Sequence, residues 1–252
     1  MANLVRTIRL DVAYDGTEFH GWQTQPGLRT VQGVLEEALA EVLHESVRLT
    51  GAGRTDAGTH ARGQVASFRM RARLPAVALP PVLSRRLPAD VTVRGAADCA
   101  ADFDARRSAV ARRYAYRLLD RSDVLWRRIA WFPRRRLDPR GLAQAVAPLE
   151  GAHDCAAFQA SGCSSARSAC VLHRASWRRW EGGLMLDIVA DHFLYRMVRN
   201  VVGTALLLMA ADDPAAAMAR VLAGRDRRRA GPTVPPEGLS LEQVFYPAEA
   251  TG

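Results

Sequence analysis

Strand–helix–strand runs occur twice along this chain, once before about residue 105 and once after it, and that repetition limits the available folds more than any other feature. In the first run Val5, Ile8, Leu10, Val12 and Tyr14 partly alternate ahead of an Asp15-Gly16 turn. An amphipathic helix follows. Val31, Val34, Leu35, Ala38, Leu39, Val42 and Leu43 recur at helical spacing, with Thr30 placed to cap it. A short strand over Val47–Thr50 enters a glycine-rich loop, and a strand over Gln64–Arg69 leaves it. Leu74–Pro88, with four prolines, reads as an irregular helix and turn before a strand at Val91–Arg94. In the second run Arg106–Leu119 carries Tyr114 and Tyr116 in a period-two stretch, and Asp138-Pro139 opens a helix through Leu149. Cys170–Trp180 and Leu184–Ala190 form a hairpin around Glu181-Gly182-Gly183, followed by a mostly buried helix over Phe193–Met209. Asp213-Pro214 opens another helix that stops near Gly224, and a proline-rich loop leads to a last strand over Leu241–Tyr246. Hairpins mixed with crossover helices make the class α+β. The expected architecture is two related halves, 1–105 and 106–252, sharing one extended mixed or antiparallel sheet flanked by helices, although no close sequence repeat links them.

The longest apolar run, Val201–Ala211, is interrupted by Gly203 and Thr204 and falls short of the ~20 residues that span a bilayer. Arg6, Arg9 and Asp11 break any apolar stretch near the start, so no secretory leader is expected and the reading is a soluble cytoplasmic protein with no membrane partner. The 35 basic residues outnumber the 26 acidic ones, for a net charge of +9. All 35 are arginine, because the chain contains no lysine. Guanidinium groups stay charged and form forked hydrogen bonds to phosphate, which suits a nucleic-acid partner.

Cysteines at 99, 155, 163 and 170 form no C-x-x-C pair, and disulfides are not expected in a cytoplasmic protein. His153, Cys155, Cys163, Cys170 and His173 supply enough ligand types for zinc, but they lack paired-knuckle spacing. The expectation is no metal, with ordinary buried thiols and surface imidazoles.

The stretch that bears chemistry runs Gly51-Ala52-Gly53-Arg54-Thr55-Asp56-Ala57-Gly58-Thr59-His60. It is not a dinucleotide fingerprint, since Asp56 stands where the third glycine belongs, and it lacks the lysine of a phosphate loop. Three glycines around Arg-Thr-Asp predict a backbone bent sharply between two strands, with Arg54 and Asp56 presented outward. By default an aspartate in such a turn is only a turn-former.

These residues resemble the catalytic loop of the bacterial tRNA pseudouridine synthase A family, whose signature is G-R-T-D-A-G-x-H followed by G-Q-V. The chain has Gly53 to Gly58, His60, and then Gly63-Gln64-Val65. Tyr14-Asp15-Gly16 with Gly21-Trp22-Gln23, Ala111-Arg112-Arg113-Tyr114, and Met197-Val198-Arg199-Asn200 with Val202-Gly203 resemble its other motifs in order. Departures are small: Thr59 stands where the family often has valine, and Cys155 where an aromatic is common.

The resemblance implies the pseudouridine synthase fold and isomerisation of uridine to pseudouridine at tRNA positions 38, 39 and 40, in the anticodon stem-loop. It implies no cofactor, and it implies a homodimer. Breaking a glycosidic bond without water calls for a group that attacks covalently or removes a proton, and a carboxylate does both. Asp56 holds the family's nucleophile position. Burial raises a carboxyl pKa by up to ~3–5 units and a nearby guanidinium lowers it by ~1–3, so a paired arginine decides whether the acid is ionised. Arg199 matches that partner. Tyr114 matches the ring that packs on the target base, where stacking contributes roughly 1–3 kcal/mol, and its hydroxyl is equally open to a part in proton removal. Extruding a stem nucleotide costs a few kcal/mol, and Arg54 is assigned to holding the flipped state or filling the gap. His60 reads as structural. Arg106-Arg107 and Arg112-Arg113 flank Tyr114 and set charge beside a ring, whereas Arg134–Arg136 and Arg227–Arg229 read as solvated faces. Two other classes stand against this reading: a non-catalytic RNA-binding protein, which leaves the Gly53–Gly58 loop unexplained, and a zinc-dependent nucleotide hydrolase using the Cys/His cluster.

Overall fold

The computed structural model describes residues 5–162 and 167–247, which divide into two compact units. The first comprises residues up to Val110 together with Leu241 onward, and the second runs Ala111–Ser240. Each is α+β.

In the first unit β1 (Arg6–Tyr14) lies antiparallel between β3 (His60–Met70) and β4 (Val91–Cys99). The short β2 (Thr50–Gly51) pairs with Ser67 and Ala66 of β3. Alternation in β1 sends Ile8, Leu10, Val12 and Tyr14 inward, each at most 5% exposed. Helix α1 (Val31–Leu43) starts where the Thr30 side chain accepts the Gly33 N–H at 3.3 Å, and it buries Val31, Leu35, Ala38, Leu39 and Leu43. The proline-rich stretch forms a 3-10 turn, Ala76–Ala78, continued by the five-residue α2 (Leu79–Leu83). The register shifts against both neighbours near Val12, with the extra residue in β3 (between Ala61 and Gln64) and in β4 (between Val93 and Gly95), while β1 itself runs regularly through Tyr14.

In the second unit β5 (Ala111–Leu119), β8 (Gly183–Ala190), β7 (Ala169–Trp180) and β6 (Gly151–Asp154) lie side by side in that order, all antiparallel. The β7–β8 hairpin turns where sequence places it. Helices α3 (Pro139–Val146), α4 (Met197–Leu208) and α5 (Pro214–Gly224) pack on one another. Asp138 and Asp213 cap α3 and α5 through the N–H groups of Arg140 and Ala216, with proline in the first turn of each. The strand β9 (Leu239–Phe245) carries the chain from the second unit back into the first.

The start of one helix differs from expectation. Helix α4 begins at Met197, not Phe193, because Arg196 adopts a left-handed conformation (φ 58°) that interrupts the helix. The Asp191 carboxylate also takes the N–H groups of Val171 and His192, at 2.9 and 2.8 Å, which fixes the preceding stretch as a loop. Among the described residues no helix is long and apolar enough to cross a membrane.

Candidate active site

The loop between β2 and β3 is tied down on both sides of the residues it presents. The Trp22 N–H donates to the Thr55 carbonyl at 3.1 Å, and the Gly58 N–H donates to the Phe19 carbonyl at 3.2 Å. The Thr59 N–H closes on the Asp56 carbonyl at 3.1 Å, forming a turn whose third residue, Gly58, has φ +75°. That conformation is open to glycine and strained for other residues. On the strand side, Gly16 meets the loop so closely that a Cβ there would collide with the Thr59 carbonyl, and its N–H donates to His60 Nδ1 at 3.1 Å. His60 is 5% exposed and is the structural residue that sequence suggested. Its Nδ1 also lies 3.1 Å from Asp15 Oδ1, so the ring joins the Asp15-Gly16 turn to the end of the loop.

This scaffold leaves Arg54 exposed and Asp56 half-buried, while Thr55 and Thr59 are buried at 6% and 2% exposure. The Thr59 hydroxyl has no hydrogen-bond partner. A buried, unsatisfied hydroxyl costs about 1–3 kcal/mol, and valine has the same shape without that cost. Thr59→Val is therefore expected to stabilise the protein by ~1 kcal/mol and raise Tm by about 2–4 °C in thermal denaturation, with activity retained. An unchanged or lower Tm contradicts the assignment.

In the second unit Tyr114 is 8% exposed and meets the Phe193 ring edge-on, with centroids 4.9 Å apart at 78°. Phe193 therefore fixes the plane of the ring that resembles the base-stacking tyrosine. Sequence reasoning assigned Phe193 to a helix and missed this role; the available signal was an aromatic directly ahead of the Met197-Val198-Arg199-Asn200 motif. Arg199 lies in the first turn of α4, and its Nε donates to the Val234 carbonyl at 2.7 Å, which orients the guanidinium. It acts electrostatically on two neighbours, Tyr116 and Glu237. Burial holds both of those groups above their ordinary values, and Arg199 opposes the rise. Tyr116 is fully buried and donates to the Pro235 carbonyl at 2.7 Å. Arg54 and Asp56 thus share one loop of the first unit, and Tyr114 and Arg199 belong to the second.

Several arginines are committed to structure rather than free for a ligand. Arg113 forks onto Asp187 at 2.7 and 3.0 Å, and Arg174 shares the same buried carboxylate at 3.2 Å. Strand alternation places Arg112, not Arg113, on the Tyr114 side. Arg227 donates to Asn200 Oδ1 at 3.0 Å and to the Gly231 carbonyl at 2.9 Å, so it is an internal clamp and not part of a solvated face. Arg228 does stand on the surface, paired with Asp226.

In the Cys/His stretch, Cys155 and Cys170 are buried and His173 is exposed, as expected, whereas Cys163 lies outside the described residues. The Cys170 thiol sits 3.5 Å from His192 Nε2, with Asp191 Oδ1 at 3.1 Å from the other ring nitrogen. The adjoining Cys155 thiol and burial push the Cys170 thiol well up. Among the described residues no three His, Cys, Asp or Glu side chains are grouped to hold a metal ion.

Likeness to known proteins defines the class, enzymes that modify tRNA. A family model described as tRNA pseudouridine synthase matches residues 12–106 and 145–247, which include Arg54, Asp56 and Arg199 and leave Tyr114 between the two segments. A tRNA pseudouridine synthase A from Geobacter sp. (strain M21) is 41% identical over 246 residues, covering 96% of this chain and 100% of the relative. Proteins of the same name from Myxococcus xanthus and Halalkalibacterium halodurans are 40% and 41% identical, over 95% and 93% of this chain and 91% and 90% of their own lengths. The chain belongs to the tRNA pseudouridine synthase family.

Proposed function

We propose that this protein converts uridine to pseudouridine at positions 38, 39 and 40 in the anticodon stem-loop of tRNA, in the cytoplasm and as a homodimer, with Asp56 as the nucleophile. The observation that carries the reading is the position of Asp56: it is the acidic side chain of a loop pinned at Thr55, Gly58 and Thr59, inside a family-wide match. Such a loop holds a carboxylate in place without a reorganisation cost at the moment of reaction.

The chemistry balances without an outside reactant. The bond from uracil N1 to ribose C1′ breaks, the ring turns, and a bond from C5 to C1′ forms. The C5 proton leaves and N1 gains one. Attack by the carboxylate on the sugar or on the base serves this sequence equally, since either adduct is resolved before product leaves. Tyr114 supplies a stacking surface for the extruded uracil, with Phe193 holding its plane. Arg199 pairs with the nucleophile, and Arg54, exposed on the same loop as Asp56, holds the flipped state or fills the vacated stack.

The test is to incubate the purified protein with unmodified tRNA transcripts and map pseudouridine by carbodiimide adduct and primer extension. Stops at positions 38–40 and nowhere else are the expected result. Modification confined to another arm of the tRNA removes the site assignment, and no modification of any tRNA removes the activity.

A further inference from the structure

We infer that Tyr14 and Gln64 are positioning residues for the reaction, acting through Thr55 and the Gly53 carbonyl, respectively, to aim the loop that carries Arg54 and Asp56. This rests on the reading of Asp56 as nucleophile. The Tyr14 hydroxyl lies 2.8 Å from Thr55 Oγ1. Gln64 Nε2 donates to the Gly53 carbonyl at 2.8 Å and reaches the Tyr14 hydroxyl at 3.5 Å. Gln64 Oε1 accepts the Val65 N–H at 3.2 Å, and that fixes which end of the amide faces the loop. The residues on either side of Arg54 are therefore held from within, and Thr55 adjoins Asp56 directly.

The three side chains are 5%, 6% and 0% exposed, respectively for Tyr14, Thr55 and Gln64. Hydrogen bonds in such an interior are stronger than in water and set geometry rather than merely filling space. Burial pushes the Tyr14 phenol up to about 12, so it remains a protonated donor at any working pH. Phenylalanine and valine would fill the same volume at 14 and 55, so the two hydroxyls add direction, not packing. Alternation along β1 keeps Tyr14 on the buried face with Val12, where its hydroxyl meets Thr55 of the loop. A carboxylate displaced by about 1 Å costs roughly 10²-fold in rate.

The experiment compares wild type, Tyr14→Phe, Thr55→Val and Thr55→Ser in single-turnover reactions with enzyme in excess over tRNA, each rate corrected for the folded fraction. Tyr14→Phe and Thr55→Val are expected to lower the rate constant 10–100-fold, with tRNA Kd within twofold of wild type. Thr55→Ser, which keeps the hydroxyl, is expected to stay within threefold of wild-type rate. The double variant Tyr14→Phe/Thr55→Val is expected to be no slower than either single, since one shared bond is lost. Folded Tyr14→Phe or Thr55→Val protein reacting within twofold of wild type overturns the inference. So does Thr55→Ser falling as far as Thr55→Val, which marks packing alone. An inactive wild-type protein instead overturns the proposed function, so the two failures are separable.

Discussion

Asp56→Asn is expected to lose at least ~10³-fold in turnover while binding tRNA as tightly as the wild-type protein. Asparagine matches the shape of aspartate but offers no anionic oxygen to attack carbon and no base to take a proton. The substitution leaves the loop's main-chain anchors in place. The loop is held by the Trp22–Thr55, Gly58–Phe19 and Thr59–Asp56 main-chain bonds and the Tyr14–Thr55 side-chain bond. The fold and the RNA-facing surface should therefore survive. Removing one negative charge from a protein of net charge +9 also works in favour of a polyanion, so affinity should hold or rise slightly. Because the reaction expels the C5 proton, release of tritium from tRNA labelled at uridine C5 reads turnover directly, and filter binding gives Kd. Turnover within tenfold of wild type rules Asp56 out as nucleophile. Affinity falling in step with turnover points instead to a disordered loop.

How far such a site can be read in advance depends on whether the controlling contacts are local. Helix α1 was legible because a single 3.6-residue stripe and a Thr30 cap agree, and the β7–β8 hairpin because alternation meets a Glu181-Gly182-Gly183 turn. Strand β4 runs on to Cys99 although Gly95-Ala96-Ala97 carries no alternation, because β1 supplies the ladder that sequence does not reveal. Val47 and Leu49 are buried outside any strand, so β2 shrinks to the two residues that meet β3. The same division holds in the site. Asp56 stands in a contiguous motif that can be recognised, whereas its bracing cannot, since Tyr14 meets Thr55 across 41 residues; in the second unit Arg113 likewise meets Asp187 across 74. Nothing in Ala111-Arg112-Arg113-Tyr114 distinguishes the arginine committed to a buried carboxylate from the one that shares the Tyr114 face and donates to the Asp191 carbonyl. Strand parity makes that distinction once the β5–β8 register is known.

Arg199→Leu tests the cation proposed to serve the nucleophile, and its expected signature is a loss of turnover of roughly 30–1,000-fold, about 2–4 kcal/mol of transition-state stabilisation. Leucine keeps the apolar stem in the first turn of α4, so the helix persists. The bond from Arg199 Nε to the Val234 carbonyl is lost, a cost of about 1 kcal/mol that lowers Tm by about 2–4 °C. Binding separates the proposed role from a simpler one. A guanidinium that neutralises a phosphate leaves a mark in the salt dependence of tRNA affinity, and its removal flattens the log–log slope by ~0.7–0.9. A guanidinium that faces a carboxylate of its own protein leaves that slope unchanged. The expected outcome is therefore slow turnover at an unaltered slope, with Arg199→Lys intermediate because it keeps the charge but not the planar fork. A flatter slope with near-normal turnover at saturating tRNA reassigns Arg199 to the RNA backbone and leaves Asp56 in need of another partner.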